Sequence, residues 1–495
     1  MNFRTHRLFK KVIGIFFLVL IFEMLGCANV KENKSTKIDS LISAYNDYGH
    51  FHGTVLLAEN GNIILEKGYG FANREWDMPH DPDTKFRIAS ITKTFTAVLI
   101  MQLVETGKID LNGKLTNYLP SYRKDTGERV TIHHLLSHSS GIPDYLRIPG
   151  FWQNQLLLQY SRKDFAHKFC SGDLEFEPGS KYQYNNSGYY LLGLIIEELT
   201  GESFETALQE NILKPLGMKN SGVDNNRAVL KKRASGYVKS GFDFLNVPYL
   251  NIDNSYTSGQ MYSTAEDLYL FDQALYTDQL LSTQYRDKLF TPYYFYAKGD
   301  YSIGYDWELG KLPLTSSEGS VTYAQHMGGL NGFNTLFCRL IEDKHLIVLL
   351  GNLDSAPLKE MRQKIINILY DIPYDMPLKS IAWEIRDIIE EKGMISAIQA
   401  YHSIRAEQSD EYDLGERELN VVGYYLLRNG KIKEAIEIFK LNVEVYPDYA
   451  NGWDSLAEAY MLNGDKKLAI KYYQKCLELN PSSQNARNML KRLTE

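Results

Sequence analysis

Residues 86–95 are Phe86-Arg87-Ile88-Ala89-Ser90-Ile91-Thr92-Lys93-Thr94-Phe95, a segment with a serine and a lysine three residues apart. Residues i and i+3 share one face of a helix, so the Ser90 hydroxyl and the Lys93 amine can be hydrogen-bonded. A serine hydroxyl is a weak nucleophile that needs a neighbouring base to accept its proton. The spacing therefore suits nucleophilic catalysis. On this segment alone, a simpler interpretation is that Ser90 is only a helix N-cap.

A second Ser-x-x-Lys in the chain, Ser121-Tyr122-Arg123-Lys124, has different surroundings. It continues into Asp125-Thr126-Gly127-Glu128, a polar stretch typical of a surface turn. Ser90 instead leads into the mostly apolar residues 96–105, which predict a buried helix. Ser90 would then lie at the N-terminus of that helix, where backbone N–H groups favour a developing negative charge. Only the first copy is a candidate for catalysis.

Length and composition restrict the class of protein. The chain has 495 residues, enough for two or three domains, and its 44% hydrophobic content is ordinary for a folded protein. The net charge is −7 and basic residues do not cluster outside the N-terminus, so we predict no nucleic-acid partner. The cysteines beyond the N-terminal segment are Cys170, Cys338 and Cys476. This odd, scattered set predicts neither a disulfide framework nor a metal site.

The first 27 residues are predicted to be a targeting signal. Basic residues precede an apolar run over 12–22, which has the length of a signal-peptide core and is short for a membrane span. The run ends in Met24-Leu25-Gly26-Cys27, which resembles a bacterial lipoprotein processing site, although Met24 stands where leucine is usual. We therefore expect an exported cell-envelope protein, on the periplasmic or extracellular face, held to a membrane by lipid on Cys27. An uncleaved anchor and plain secretion are the alternatives.

The segment that follows the signal predicts a mixed α and β domain. Residues 28–37 are polar and are predicted to be a tether. Apolar residues at helical spacing follow, and two strand-like runs flank Asn60-Gly61, which predicts a hairpin with a primed turn. We further predict strands near 333–340 and 345–350 and helices at 187–199 and 264–275. A sheet built from both ends of residues 38–372, around a helical middle, follows from this pattern.

A 34-residue repeat occupies the C-terminal part of the chain. The proline-containing segment 371–377 marks the predicted domain boundary, with a linker and helices over 373–415. Gly423, Gly430, Ala435, Phe439 and Pro447 recur as Ala457, Gly464, Ala469, Tyr473 and Pro481. This period and composition are typical of tetratricopeptide repeats, with two copies within 416–495 and a hint of a degenerate third near Ile398-Gln399-Ala400-Tyr401. Two copies are marginal alone, so we expect them to stack on the preceding helices or dock on the first domain.

Two further segments could complete a site with Ser90. Tyr184-Asn185-Asn186 precedes an apolar helix; a phenol beside a lysine can share proton transfer, and an asparagine amide can hold a substrate carbonyl. His326-Met327-Gly328-Gly329 lies at a predicted strand edge, where glycines leave room for another backbone. Taken singly, the first is interpreted more simply as an ordinary loop and the second as a strand end with a turn.

Together and in this order, the three segments resemble the serine β-lactamase and penicillin-binding-protein superfamily, which has Ser-x-x-Lys, Tyr-x-Asn and Lys/His-x-Gly motifs. The branch is the one related to class C β-lactamases, D-Ala-D-Ala carboxypeptidases and serine esterases. The likeness covers about 40–370 and includes the segments 131–142, 177–179, 214–218 and 259–268. It implies an α/β (α+β) β-lactamase/transpeptidase-like domain over 38–372. This domain would have an antiparallel sheet, flanking helices and a helical subdomain, followed by an all-α tetratricopeptide segment.

The resemblance also implies catalytic roles. Ser90 would attack a substrate carbonyl and form an acyl-enzyme, while Lys93 and Tyr184 would move protons to and from Ser90 and the leaving group. Which of the two is the general base depends on burial and neighbours, so the sequence leaves both open. The backbone N–H groups of Ser90 and Gly329 would form the oxyanion hole.

The implied substrate-binding residues are Asn186, His326, Gly328 and Gly329. Asn186 would orient the acyl-side amide or carbonyl. His326 stands where many β-lactamases and carboxypeptidases have lysine, and an unperturbed histidine is mostly neutral at pH 7. A strong preference for β-lactams or for a peptide carboxylate is therefore in doubt, and esters and other amides stay open.

The sequence thus predicts a cell-envelope serine hydrolase acting on an ester, amide or peptide, with a possible protein partner at the repeats. The alternative is a catalytically weak penicillin-binding-like domain that serves with the repeats as a protein-binding scaffold. We predict no cofactor and no metal, because His133, His134 and His138 lack a His-Glu-x-x-His pattern. The sequence does not determine the substrate, the repeat's partner or the oligomeric state.

Overall fold

The computed structural model describes residues 33–295, 301–314 and 319–495. The predicted signal segment, Cys27 and most of the tether lie outside the described residues. Within them, no helix has both the length and the apolar character that a membrane crossing needs.

An antiparallel sheet of eight strands forms the centre of the first domain, in the order β10-β11-β12-β13-β14-β15-β1-β2. The strands are β1 (Gly53–Glu59), β2 (Asn62–Tyr69), β3 (Phe71–Asn73), β4 (Met78–Pro79), β5 (Phe86–Arg87), β6 (Gly222–Val223), β7 (Tyr237–Ser240), β8 (Asp243–Asn246), β9 (Met261–Ser263), β10 (Tyr294–Phe295), β11 (Tyr301–Ile303), β12 (Glu308–Pro313), β13 (Ser320–Leu330), β14 (Phe333–Leu340), β15 (His345–Gly351), β16 (Lys379–Ser380) and β17 (Tyr412–Asp413). The predicted fold class, with its antiparallel sheet, is confirmed.

Strands from the two ends of the domain meet in the centre of the sheet. Strand β1 pairs with β2 on one side and with β15 on the other. The β1–β2 turn has Asn60 and Gly61 at φ 51° and 76°, the left-handed conformation of the predicted primed turn. Because β1 and β15 are almost 300 residues apart in the chain, this central pairing joins the segments on either side of the helical middle.

The helices lie on both faces of this sheet and in the C-terminal segment. They are α1 (Lys34–Asp47), α2 (Thr92–Glu105), α3 (Leu115–Tyr118), α4 (Lys124–Gly127), α5 (Ile132–Leu136), α6 (Arg162–Phe169), α7 (Asn186–Thr200), α8 (Phe204–Leu208), α9 (Lys214–Leu216), α10 (Tyr256–Gly259), α11 (Ala265–Ala274), α12 (Thr283–Leu289), α13 (Leu358–Leu369), α14 (Ile381–Lys392), α15 (Met394–Glu407), α16 (Glu416–Arg428), α17 (Ile432–Val445), α18 (Ala450–Leu462), α19 (Lys466–Leu479) and α20 (Gln484–Thr494).

Alternate residues of the central strands face two separate cores. Leu56 and Val348 belong to the larger core, which includes the buried helix α2 and the helical middle. Val55 and Ile347 belong to the smaller core beneath α1 and α13. Since both faces are covered, strands such as β15 are buried at every residue and do not show polar alternation.

Helix α1 begins earlier than the sequence suggested. Asn33 is its N-cap and accepts a hydrogen bond from the backbone N–H of Ser35, and the helix runs from Lys34. Residues 34–37, predicted to be tether, are therefore helical. The Lys34 ammonium lies 2.6 Å from the Glu59 carboxylate, which holds this first turn against the sheet.

The C-terminal segment is a stack of helical hairpins with the predicted 34-residue spacing. Helices α16 and α17 form one hairpin and α18 and α19 the next, and Gly430 and Gly464 adopt φ 72° and 86° between the helices of each pair. A Cβ on Gly423 would lie 2.3 Å from Phe439, so a small residue is needed where the helices cross. Helices α14 and α15, at the position of the degenerate copy, pack into the same core.

The repeat stack also contacts the first domain through the β7–β8 hairpin. Phe242, at the tip of this hairpin, is buried in the core of the repeat segment. Its ring makes edge contacts with Trp383 and Tyr425 at 4.8 and 5.3 Å between ring centres. Both sequence-based expectations are met, since the repeats stack on the preceding helices and dock on the first domain.

We predict that Phe242→Ala lowers the free energy of unfolding of the repeat segment by about 3 kcal/mol, because a buried aromatic ring leaves a cavity when truncated. Leu245→Ala on the same hairpin is the matched control: Leu245 is 51% exposed, and its change should stay within about 0.5 kcal/mol. Urea unfolding of the full chain measures both values. Equal effects of the two substitutions would contradict the role of Phe242 as the docking residue.

Candidate active site

Ser90 lies in a short 3₁₀ turn, Ala89–Ile91, that leads directly into α2. The preceding Ala89 has φ 47°, a conformation that alanine rarely adopts. The N-cap position of α2 is Ile91, which makes no side-chain capping bond. Ser90 is therefore not the N-cap of the helix. Ser90 itself is half-buried, and a strained residue such as Ala89 directly before it is of the kind that clusters at functional sites.

Lys93 is completely buried on the first turn of α2. Its ammonium donates to the Ser90 hydroxyl oxygen at 3.0 Å and to the Ser258 carbonyl at 2.7 Å. Burial lowers the pKa of Lys93 to about 8, and the more distant carboxylates Asp306 and Asp144 only partly oppose this. A minor fraction of Lys93 is thus neutral at pH 7, and this neutral form is able to accept a proton.

Tyr184 stands on the other side of the nucleophile. It lines the same pocket as Ser90, and the Lys93 ammonium lies 4.9 Å from its ring centre. Burial raises the pKa of Tyr184 well above the usual value, and the charge of Asp306 raises it further. The phenolate is therefore scarce in this state. The lowered pKa of Lys93 and the raised pKa of Tyr184 favour Lys93 as the base in the first proton transfer.

Asn186 is the first residue of α7, directly after the N-cap Asn185. Its amide nitrogen lies 3.1 and 3.3 Å from the two carboxylate oxygens of Asp144. Asp144 is buried on the loop after α5, and it also accepts from the backbone N–H of Leu146. The orientation of the Asn186 amide therefore depends on Asp144, a carboxylate outside the three sequence motifs.

Strand β13 brings the third motif beside the nucleophile. Its pairing with β12 ends at Gln325, and from His326 onward β13 pairs only with β14. The predicted strand edge is therefore local: residues 323–325 pair with a strand on each side, whereas residues 326–330 pair on one side only. A Cβ on Gly328 would lie 2.2 Å from the Ile88 carbonyl oxygen, whereas Gly329 has open space. Glycine at 328 lets this strand approach the segment that leads into Ser90.

A buried carboxylate, Asp306, joins this strand to the loop after α5. Its two oxygens lie 2.8 Å from Nε2 of His138 and 3.0 Å from Nε2 of His326. Burial alone would raise the pKa of Asp306, but the two histidines lower it below the usual value. Sequence reasoning missed this residue. A polar residue at the turn between two short strands is too common a pattern to single it out.

Of the predicted site residues, Ser90, Tyr184 and His326 line a pocket of about 320 Å³, whereas Lys93, Asn186, Gly328 and Gly329 are not part of its lining. It is lined by Ser90, His138, Tyr182, Tyr184, Tyr301, Ile303, Asp306, Trp307, Glu308, Gln325, His326 and Met327. Larger pockets of about 410 and 610 Å³ lie elsewhere and contain none of the predicted site residues, so size alone does not identify the site. In the described part of the chain, His, Cys, Asp and Glu do not assemble into a group of three or more suited to a metal ion.

The chain is similar to known proteins over this domain. The family model described as Beta-lactamase matches residues 38–369, and that of the Tetratricopeptide repeat matches 450–483. Penicillin-binding protein 4* of Bacillus subtilis (strain 168) is 30% identical over 370 residues, 70% of this chain and 79% of that protein.

Two solved structures have the same fold. A penicillin binding protein from Bacillus halodurans is 28% identical, with a TM-score of 0.56 over 67% of this chain and 97% of that one. An octameric penicillin-binding protein homologue from Pyrococcus abyssi is 25% identical, with a TM-score of 0.60 over 71% of this chain and 81% of that one.

The lowered pKa of Lys93 predicts the pH dependence of catalysis. If neutral Lys93 is the base, kcat/KM rises about tenfold per pH unit below about pH 8 and levels off above it, because the active form is the deprotonated one. Hydrolysis of p-nitrophenyl acetate measures this profile, with the rate of Ser90→Ala subtracted. Lys93→Arg should lose about 10²-fold or more at every pH, since a guanidinium does not give up its proton. A flat wild-type profile would exclude Lys93 as the base.

Proposed function

The chain belongs to the beta-lactamase family and is a serine hydrolase, and from this premise we propose that it forms an acyl-enzyme on Ser90 with an ester, amide or peptide. The observation that carries the proposal is the contact of 3.0 Å between the Ser90 hydroxyl and the amine of a wholly buried lysine. In water such an amine would be protonated and could not activate a serine.

The geometry supports the following sequence of steps. Neutral Lys93 accepts the Ser90 proton as Oγ attacks the carbonyl carbon, and the oxyanion meets the backbone N–H groups of Ser90 and Gly329. The tetrahedral intermediate then collapses, its bond to the leaving group breaks, and Lys93 or Tyr184 returns a proton to that group. Water attacks the acyl-enzyme by the same route in reverse, and the acid and Ser90 are released.

Three substrate classes stay open: esters, amides and peptides. Relatives named penicillin-binding proteins make a penicillin one useful probe, whereas His326 in place of lysine keeps esters and other amides in the set. The first test is therefore intact-protein mass spectrometry after incubation with a penicillin, a peptide ending in D-Ala-D-Ala and a p-nitrophenyl ester.

We expect at least one of these compounds to give an acyl adduct on the wild-type protein, or product released by it, and neither with Ser90→Ala. An adduct that persists in Ser90→Ala would place the reaction at another residue. Silence from all three with a folded protein would contradict the proposal and favour the alternative, a scaffold that works through the repeats. In that case the partner of residues 416–495 becomes the question, because helical repeats present surfaces for peptides and proteins.

We further propose that the protein is exported to the cell envelope and anchored by lipid at Cys27. The support is the sequence of the first 27 residues, in which a basic segment and an apolar run end at Gly26-Cys27. A lipid chain at Cys27 would hold the hydrolase at a membrane surface.

We expect labelled palmitate to enter the full chain in a bacterial host and the protein to sediment with membranes. Cys27→Ser should take up no label and leave the membrane fraction. Cys170→Ser is the matched control, since Cys170 is fully buried, and should leave labelling unchanged. Membrane association of Cys27→Ser would indicate an uncleaved anchor, and a soluble wild-type protein would indicate secretion.

A further inference from the structure

We infer that a cavity between the first domain and the repeat segment is a second binding site, and that it takes a small carboxylate with a flat, apolar body. This interdomain cavity is the one of about 410 Å³ that Arg74 and Trp383 line from opposite sides. Its size is typical of sites for small organic ligands. It shares none of its described lining residues with the pocket beside Ser90, so the inference is independent of the proposed hydrolase function.

The walls of the interdomain cavity come from both parts of the chain. The C-terminal end of α1, the β3–β4 loop and β8 form one wall, and β16, α14 and β17 form the other. Four aromatic side chains are among the lining residues: Tyr48, Phe244, Trp383 and Tyr412. Aromatic side chains offer a large apolar contact area and lose little conformational entropy when a ligand packs on them. The walls therefore suit a ligand with a flat, apolar body.

Arg74 places an oriented cation on the first-domain wall. The central carbon of its guanidinium lies 3.5 Å from the ring centre of Phe244, and Nη2 donates to Nε2 of His52 at 2.7 Å. Since a guanidinium can only donate, this Nε2 carries no hydrogen and His52 is neutral; its Nδ1 lies 3.0 Å from Oδ1 of Asn46. The other N–H groups of Arg74 have no acceptor among the described protein residues. A planar fork of free donors matches a carboxylate.

The charge of Arg74 is not balanced by an acid. In the described part of the chain, no carboxylate is paired with its guanidinium, and the adjacent Glu75 accepts from the Tyr237 hydroxyl instead. Burial lowers the pKa of Arg74. Burial also lowers the pKa of His52 to about 3, and the nearby cations Arg74 and Lys239 contribute in the same direction. The inner wall is therefore positive, and a partly buried cation without a counter-ion favours an anionic ligand.

The remaining charged residues of the lining are exposed to solvent. They are Asp47 and Glu384, which are acidic, and Lys379, whose ammonium lies 5.8 Å from the ring centre of Tyr412. Water and salt screen the charges of exposed groups, so the two acids only weakly oppose an anion that has reached Arg74. The half-buried Arg74 therefore decides the sign of the ligand.

The experiment compares two probes with the same ring system, 2-naphthoate and 2-naphthalenemethanol, neither of which a hydrolase can cleave. Isothermal titration calorimetry of the full chain gives both Kd values at about pH 7.5, where a carboxyl group is ionised. For the wild-type protein we expect 2-naphthoate to bind at least about tenfold more tightly than the alcohol, the size of one charge-assisted hydrogen-bonded contact. High salt should reduce this preference, because it screens the charge of Arg74.

Arg74→Gln should bring the two Kd values to within about twofold of each other, because it removes the cation and weakens only the binding of the carboxylate. Arg227→Gln is the matched control, since Arg227 is exposed and does not line the cavity, and it should leave the preference unchanged. Tyr48→Ala removes a ring of the wall, and it should weaken both probes by about threefold and keep their ratio. A merely structural role of Arg74 would weaken both probes equally.

Several results would overturn the inference. In the wild-type protein they are equal Kd values for the two probes or no binding of either. A preference for 2-naphthoate that survives Arg74→Gln would place the anion at another site. If Arg74→Gln does not fold, Tyr48→Ala locates the site in its place, and unchanged affinity of both probes in that variant would exclude the interdomain cavity.

Discussion

The burial of the Lys93 amine is the constraint on which the rest of the site depends. An ammonium placed in a protein interior without a carboxylate in contact is costly, and no described carboxylate lies within ion-pair distance of Lys93. The structure meets this cost with the Ser258 carbonyl and the Ser90 hydroxyl. Four non-glycine residues with positive φ lie in the segments that carry the site: Ala89 before Ser90, Tyr256 on the helix of Ser258, and His138 and Asp306 at the pocket. The surrounding fold must hold these strained residues in place, and the large core around α2 supplies that rigidity.

The sheet explains how distant parts of the chain reach one site. Strand β13 comes late in the domain and the Ser90 turn comes early, yet they touch because glycine at 328 removes the side chain that would separate them. Strands β14, β15 and β1 connect the two regions through continuous antiparallel pairing. A site of this kind forms only when most long-range contacts exist, which predicts slow folding relative to helical proteins of equal size.

The sequence was informative wherever local chemistry or a fixed spacing is required. Asn60-Gly61 predicted its hairpin because few residue pairs adopt two left-handed conformations in succession. The 34-residue period predicted the repeats because the helix crossing admits only a small residue at Gly423. The three motifs predicted which residues gather around Ser90, as the structure now shows for Lys93 and Tyr184.

Other parts of the site could not be predicted from the sequence, because only tertiary contacts bring them together. The Ser258 carbonyl is a backbone group, present at every residue, and only folding singles it out. Asp306 and Asp144 are isolated acids in the sequence, and their partners His138 and Asn186 lie 168 and 42 residues away. Phe242 resembles any aromatic residue in a polar loop until the repeats cover it. The start of α1 was placed late because its first residues are polar and only the N-cap Asn33 marks it.

The β7–β8 hairpin gives the molecule a mechanical connection. Its tip is held by the repeats, while the segments at its base, Gly236 and Val247, crowd Gly332 in the turn after β13. The Asn331 side chain at the same turn donates to the Pro248 carbonyl at 2.6 Å. The hairpin is therefore held at both ends, by the repeat segment at its tip and by the turn after β13 at its base. Through it, the repeats are connected to the backbone that continues from Gly329. Removing the repeats would remove one of the two contacts that hold the hairpin in place.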